Sequence, residues 1–344
     1  MKEVENIGGN ALVIREVNMN LVRRCLKEQG QATKRQIAES TGLSIVTVGT
    51  VLQHLLQERE VLETGLVSSM GGRPAQQYAY NDEHRLALVL FPLERAGKRY
   101  IHSNVVSLTG RSLTKTDTVV AEINLPAFEA VIDELLMQFP AVAALGIGLP
   151  GTESEGKMAV SDYESLRDVA VTGHFRARYH LPVIIENDVN AAVTGYCRRM
   201  NKPAEAAVVY LYFPDRFPPG AGIVLGGRLY RGPRGFAGEI AGIPLGAAWG
   251  PELYASPAGL TEAVAKLVIA LSGVLNPDEV VLNGSFITPG MLDEVKAICS
   301  ALLPPAMVPQ LLLVQDFAAD YVQGMIVQTL HTLEPHVQLT KSKA

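Results

Sequence analysis

Apolar residues recur at the spacing of one helix face in Leu21, Val22, Cys25 and Leu26, and Gly30 follows as a stop, so residues 18–28 are predicted helical. Thr33 is placed to cap a second helix that turns Ile37 and Ala38 inward and ends at Thr41-Gly42. Ser44 is placed to cap a third, with Val48, Val51, Leu52, Leu55 and Leu56 on its buried side. Two short helices joined by a tight glycine-containing turn make a helix-turn-helix. The apolar period then changes, and residues 61–67 and 76–80 read as paired strands of a wing, separated by residues 68–75. The outer face of the third helix offers Thr47, Thr50 and Gln53, groups that reach base edges or phosphates. Gly49 inside that helix costs about 1 kcal/mol relative to Ala. Close approach to DNA would explain it, and sequence drift explains it equally well.

Beyond residue 81 the pattern mixes periods. Residues 86–90, 100–108 and 111–120 alternate as three antiparallel strands, with Thr109-Gly110 as a turn. Residues 128–139 form an amphipathic helix and 142–149 a buried strand; 183–186 read as another strand and 188–199 as the helix after it. Ile223-Val224-Leu225 and Leu229-Tyr230 are short strands around a Gly226-Gly227 hairpin turn. A closing helix is expected over 316–330, with a disordered tail from Pro335. Strands alternating with helices predict an α/β body. The chain of 344 residues is long enough for this organisation, with a winged helix-turn-helix over 1–81 and the body over 82–344.

Three stretches carry candidate chemistry. They are Leu145-Gly146-Ile147-Gly148-Leu149-Pro150-Gly151, then Ile184-Ile185-Glu186-Asn187-Asp188-Val189-Asn190-Ala191-Ala192, then Phe236-Ala237-Gly238-Glu239. A carboxylate on a glycine-rich, close-packed backbone accepts hydrogen bonds from the hydroxyls of a small polar ligand. Together these stretches resemble the ROK family of bacterial sugar-responsive repressors and sugar kinases, and the resemblance runs from about residue 12 to about residue 330. It implies a body of two lobes with the actin-like ATPase fold and a sugar cleft between them, bounded by Gly151, Asn187, Asp188 and Glu239. The family usually places a His three positions after that Glu, and then a cysteine-rich zinc loop. Here Gly242 holds the His position and the zinc loop is missing, so no metal is expected, and Trp249 and Leu245 are candidates to hold the loop by packing. Pro251-Glu252-Leu253-Tyr254-Ala255-Ser256 is similar to the segment that the family carries after its zinc loop, and this implies Glu252 as the second sugar carboxylate. Gly71-Gly72-Arg73-Pro74 resembles the wing of ROK repressors, where such an Arg enters a minor groove. The expected DNA contacts are thus Arg35, Ser44, Thr47, Thr50, Gln53 and Arg73.

Charge and composition narrow the functional classes. The net charge of −5 argues against a surface that binds nucleic acid throughout. Residues 1–80, however, hold nine Lys or Arg against eight Glu, so the acidity lies in the body. The three cysteines are too few and scattered for a disulfide framework or thiolate metal site. No unbroken apolar run approaches the roughly 18 residues that span a bilayer, and a cytoplasmic protein without membrane contact is expected. In the family's kinases the Asp of the Asn-Asp pair is the general base, which puts Asp188 in place. Their first phosphate turn is Asp-x-Gly-x-Thr, whereas this chain has Phe91-Pro92-Leu93-Glu94-Arg95-Ala96-Gly97. Their Gly-Thr-Gly turn falls within residues 214–220, where three prolines remove N–H donors that would cradle phosphate. Neither ATP nor another cofactor is expected. The expectation is a non-enzymatic, sugar-responsive repressor, a homodimer or homotetramer with a DNA operator and a sugar or sugar phosphate effector as partners. A sugar kinase with a fused DNA-binding domain, or a regulator with a vestigial cleft controlled by a protein partner, are the alternatives.

Overall fold

The computed structural model describes residues 7–69, 72–215, 217–246 and 248–334. The chain divides into two compact units, the first built on residues up to Leu86 with Ser107–Thr109, the second on Ala87–Val106 and Gly110–Thr332.

The first unit runs α1 (Ile7–Gln29), β1 (Gln31–Thr33), α2 (Lys34–Thr41), α3 (Ile45–Gln57), β2 (Val61–Ser69) and β3 (Gly72–Tyr80). Local chemistry sets its boundaries. Thr33 and Gln36 form a reciprocal capping box at the start of α2, and Gly42 ends that helix with φ of 73°. The Ser44 hydroxyl accepts from the Thr47 N–H at 3.0 Å and starts α3. Val22, Leu26, Ile37, Val48, Leu52 and Leu55 close into one core with Val61 and Tyr78. The helix α1 begins well before residue 18, and β1 is a three-residue strand that pairs antiparallel with β3, so the sheet order is β1-β3-β2. Three helices on a small antiparallel sheet make a winged helix. Arg23 holds Glu60 through two N–H donors at 2.6 and 2.8 Å and reaches Glu16 at 2.7 Å. That pairing ties α1 to the turn before β2, so Arg23 is a structural residue.

The second unit is an α/β body with two five-stranded sheets. Its first lobe contains β4 (Leu86–Arg95), β5 (Lys98–Ser107), β6 (Ser112–Val120), α4 (Leu125–Gln138), β7 (Val142–Gly148), β8 (Gly151–Ser154), β9 (Lys157–Ser161), α5 (Val171–Tyr179) and β10 (Val183–Glu186). The chain then passes through α6 (Asp188–Arg199) into β11 (Val208–Phe213), β12 (Gly220–Leu225), β13 (Arg228–Leu229), α7 (Pro251–Tyr254), α8 (Pro257–Leu275), β14 (Glu279–Gly284), α9 (Pro289–Leu302), β15 (Gln310–Leu313) and α10 (Phe317–His331). The sheet orders are β10-β7-β4-β5-β6 and β13-β12-β11-β14-β15, and β8 pairs with β9 apart from both. This is the two-lobed arrangement of the actin-like ATPase fold.

By length and composition α8 is apolar enough to cross a membrane. Its Leu260, Val264, Leu267, Val268 and Leu271 nevertheless pack in the core of the second lobe, beside Val209, Leu211, Val280 and Leu282. Where α6 and α10 cross, their backbones approach directly at Gly195 and Gly324. A Cβ on Gly195 would stand 1.9 Å from the Asp320 carbonyl oxygen, and one on Gly324 would stand 1.7 Å from that of Ala191. Likewise Gly148 of β7 leaves the room that Tyr321 of α10 fills, so part of the glycine-rich run before Pro150 serves packing.

Candidate functional site

A cavity of about 740 Å³ opens in the body, and Gly151, Asn187, Asp188 and Glu239 all line it. Each is placed by its local structure. The Asn187 side-chain oxygen caps α6, accepting from the N–H groups of Val189 at 2.9 Å and Asn190 at 3.2 Å, and its Nδ2 donates to the Gly151 carbonyl at 3.2 Å. Gly151 sits at φ of 132°, and a Cβ there would meet the Val160 carbonyl oxygen at 2.2 Å, so glycine is required. Glu239 accepts from the Thr152 hydroxyl at 3.4 Å. Its neighbour Gly238 offers the carbonyl that receives the Ala221 N–H of β12 at 2.9 Å. Behind these residues the buried Glu186 carboxylate accepts from the Asn187 N–H, Asn190 Nδ2 and Arg231.

Glu252 is not brought to this cavity. In α7 the apolar Leu253 turns into the core of the second lobe, which leaves Glu252 exposed. Asp162 takes the place of a further carboxylate that the sequence did not reveal. The hairpin of β8 and β9 pairs Gly151 with Ser161 and so returns Asp162 to the cavity wall. Burial, followed by the charges of Asp162 and Glu239, pushes the Asp188 carboxyl up to about 7. Asp162 is raised by burial and by Glu239. Tyr163 and Tyr321 also line the cavity. Among the described residues the buried Tyr321 hydroxyl and Asn190 Oδ1 have no hydrogen-bond partner, and both belong to residues that line the cavity.

Two groups associated with the resemblance do not fit the residues present. Between Ile243 and Gly250 the chain has no His, Cys, Asp or Glu to ligate zinc; Leu245 and Trp249 instead pack on the core, with Trp249 against Phe213. From the two stretches that would cradle nucleotide phosphates, Phe91, Pro92, Leu93 and Glu94 and then Pro214, Phe217, Pro218, Pro219 and Gly220 line the same cavity. Pro92, Pro214, Pro218 and Pro219 carry no N–H to donate to a phosphate.

In the first unit, α3 presents Thr50 and Gln53 outward, but the other expected contacts are partly engaged. Ser44 is spent as the cap, and its hydroxyl also bonds that of Thr47, which is half-buried. Thr50 donates its hydroxyl to the Val46 carbonyl at 3.2 Å. Arg35 is exposed on α2 and pairs with Glu39 at 2.9 Å. Arg73 belongs to β3, and its side chain lies outside the described residues. Missed from the sequence were Ile45 and Val46, two β-branched apolar residues at the exposed start of α3. Their position outside the buried stripe was the available signal.

The family model described as the ROK family matches residues 96–251, the segment holding Gly151, Asn187, Asp188 and Glu239. Over that segment the chain matches the ROK family. The chain is 24% identical over 236 residues to the xylose repressor of Bacillus subtilis, covering 66% of this chain and 60% of that protein. It thus spans about three fifths of the length of the xylose repressors it matches. It is 22% identical over 309 residues to the DNA-binding transcriptional dual regulator NagC of Escherichia coli, covering 85% of this chain and 72% of that one. A solved ROK-family transcriptional regulator, a homologue of the E. coli MLC protein, superposes with a TM-score of 0.66 at 18% identity, over 93% of this chain and 97% of that one. These relatives are named as repressors or regulators.

Proposed function

We propose that this chain is a sugar-responsive transcriptional repressor that does not phosphorylate its sugar. The observation that carries the reading is the pairing, on one chain, of a winged helix with a cavity that keeps Gly151, Asn187, Asp188 and Glu239 while its phosphate-facing stretches are proline-rich. The winged unit binds an operator as part of a symmetric oligomer in the cytoplasm, and the sugar in the cavity changes lobe closure and so DNA affinity. Among the described residues the acidic groups on the cavity wall besides Asp188 are Glu94, Glu122, Asp162, Glu164 and Glu239 against Arg99, which itself pairs with Glu94 at 3.6 Å. Such a wall repels a phosphate, and this favours a free sugar over a sugar phosphate as effector.

One observation favours a kinase as second reading: Asp188, with its carboxyl raised to about 7, is poised as a general base. Saturating sugar and Mg-ATP separate the two readings, since the repressor gives no turnover. The repressor reading itself is tested by melting the protein against a panel of free and phosphorylated sugars, wild type beside Glu239→Gln. A ligand at 100 times its dissociation constant adds about 2.7 kcal/mol to the native state. The expected result is a rise in melting temperature with a free sugar, lost in the variant, and a change in operator binding with the same sugar. No rise with any sugar would leave the cavity vestigial and sink the proposal.

A further inference from the structure

The surface of α3 states what kind of base edge it fits. Helices of this position in helix-turn-helix proteins lie in the major groove with their N-terminal residues against base edges. At that end Val46 is 79% exposed and Ile45 59% exposed. Val46 is followed by Thr50, Gln53 and Gln57 at steps of four, three and four, which puts these residues on one face. That face is opposite the stripe of Val48, Val51, Leu52 and Leu55 buried in the core. From Ile45 to Gln57 the helix has no Lys, Arg, Asp or Glu, so it offers no bidentate donor to the O6 and N7 of guanine and no carboxylate to the amino group of cytosine. Gly49 keeps the face low beside Val46, and the nearest atom to a Cβ built there is Lys34 Nζ at 4.0 Å. That ammonium supplies a cation at the flank, where backbone phosphates pass.

Methyl groups projecting from a charge-free helix start match one base-edge feature, the 5-methyl group of thymine, while a glutamine on the same face matches the N6 and N7 of adenine. We propose that Val46, with Ile45 beside it, packs on thymine methyl groups, so that α3 selects A·T pairs and guanine is not read by this helix. The inference rests on the DNA-binding reading of the winged unit and adds the base class that it reads.

The test uses the full chain and random-sequence duplexes. Selection of bound duplexes is followed by replacing each thymidine of the preferred site with deoxyuridine, which removes only the methyl group. Loss of one buried methyl contact is worth about fourfold in affinity. The expected result is a consensus of A·T pairs at which one or two thymidines show that loss in the wild type. Val46→Ala is expected to bind the unsubstituted site more weakly and to be insensitive to deoxyuridine at the same position. Because Val46 is exposed, its truncation leaves the melting temperature unchanged, and Ile45→Ala provides a second variant. A selected site in which no deoxyuridine substitution weakens binding, or in which Val46→Ala stays as sensitive as the wild type, overturns the proposal while leaving DNA binding intact. Failure to select any duplex overturns the DNA-binding reading itself.

Discussion

Replacing Asp188 with Asn removes a carboxylate that the cavity holds in its protonated form near neutrality. Its carboxyl titrates at about 7 in the folded chain against an ordinary value of 3.8, chiefly through burial. Each unit of pKa is worth about 1.4 kcal/mol, so ionising Asp188 in the fold costs at most about 4 kcal/mol, and water entering the cavity lowers that figure. The sign is set by a folded value above the unfolded one. The folded state binds the proton more tightly, so stability from this group is fully present below about pH 4 and is lost as pH rises to about 7, with no further change above. Asp188→Asn should therefore lose less stability than the wild type between pH 4 and pH 8, and be the more stable of the two at pH 8 by a few kcal/mol. Melting or urea unfolding of the body, followed for both proteins at unit steps of pH without sugar, measures the difference. Parallel pH profiles would refute the burial argument, because they would mean that Asp188 is ionised and solvated in the folded chain. A free sugar that donates a hydroxyl to the carboxylate should move the apparent titration downward.

Other expectations concern packing. Gly324→Ala drives a methyl group into the Ala191 carbonyl and should destabilise the body by about 3 kcal/mol or more. Gly273→Ala, in open space on α8, serves as the control and should gain up to about 1 kcal/mol; equal melting temperatures for the two variants would contradict the glycine contact. Gly49→Ala should likewise stabilise the winged unit by up to about 1 kcal/mol while weakening DNA binding in a gel-shift titration, because the added methyl stands on the face offered to the groove. Arg231→Ala leaves the buried Glu186 carboxylate without its cation and should cost about 1–3 kcal/mol in unfolding experiments, with sugar affinity reduced alongside through displacement of Asn187.

Features that depend on neighbours in sequence were legible from sequence. The Thr33 and Ser44 caps, the buried stripe of α3 and the Asn187 start of α6 each arise from a few adjacent residues. The features that escaped depend on distant pairing. The strand β1 exists because Gln31 to Thr33 meet β3 some 45 residues later, as in Ala32 opposite Tyr78. Asp162 becomes a cavity residue only when β9 folds back on β8. The assignment of Glu252 rested on a local likeness, but tertiary burial of Leu253 decides which way that short helix turns. On α3 the hydroxyls of Ser44 and Thr47 bond each other at the cap, and the exposed methyl groups of Ile45 and Val46 lie between them in sequence.

The crossing of α6 and α10 through Gly195 and Gly324 has a mechanical meaning. Side chains at a helix contact act as springs, since rotamer changes absorb small displacements; a contact between bare backbones has no such slack. The two helices therefore move as one beam, clamped at the end where Asn187 caps α6 inside the cavity. From Gly324 to its end at His331, α10 runs about 10 Å, and a tilt of about 5° at the clamp displaces that end by roughly 1 Å. A ligand that shifts Asn187 by a fraction of an ångström thus gains a lever, and the stiffness of that lever is set by the absence of two side chains.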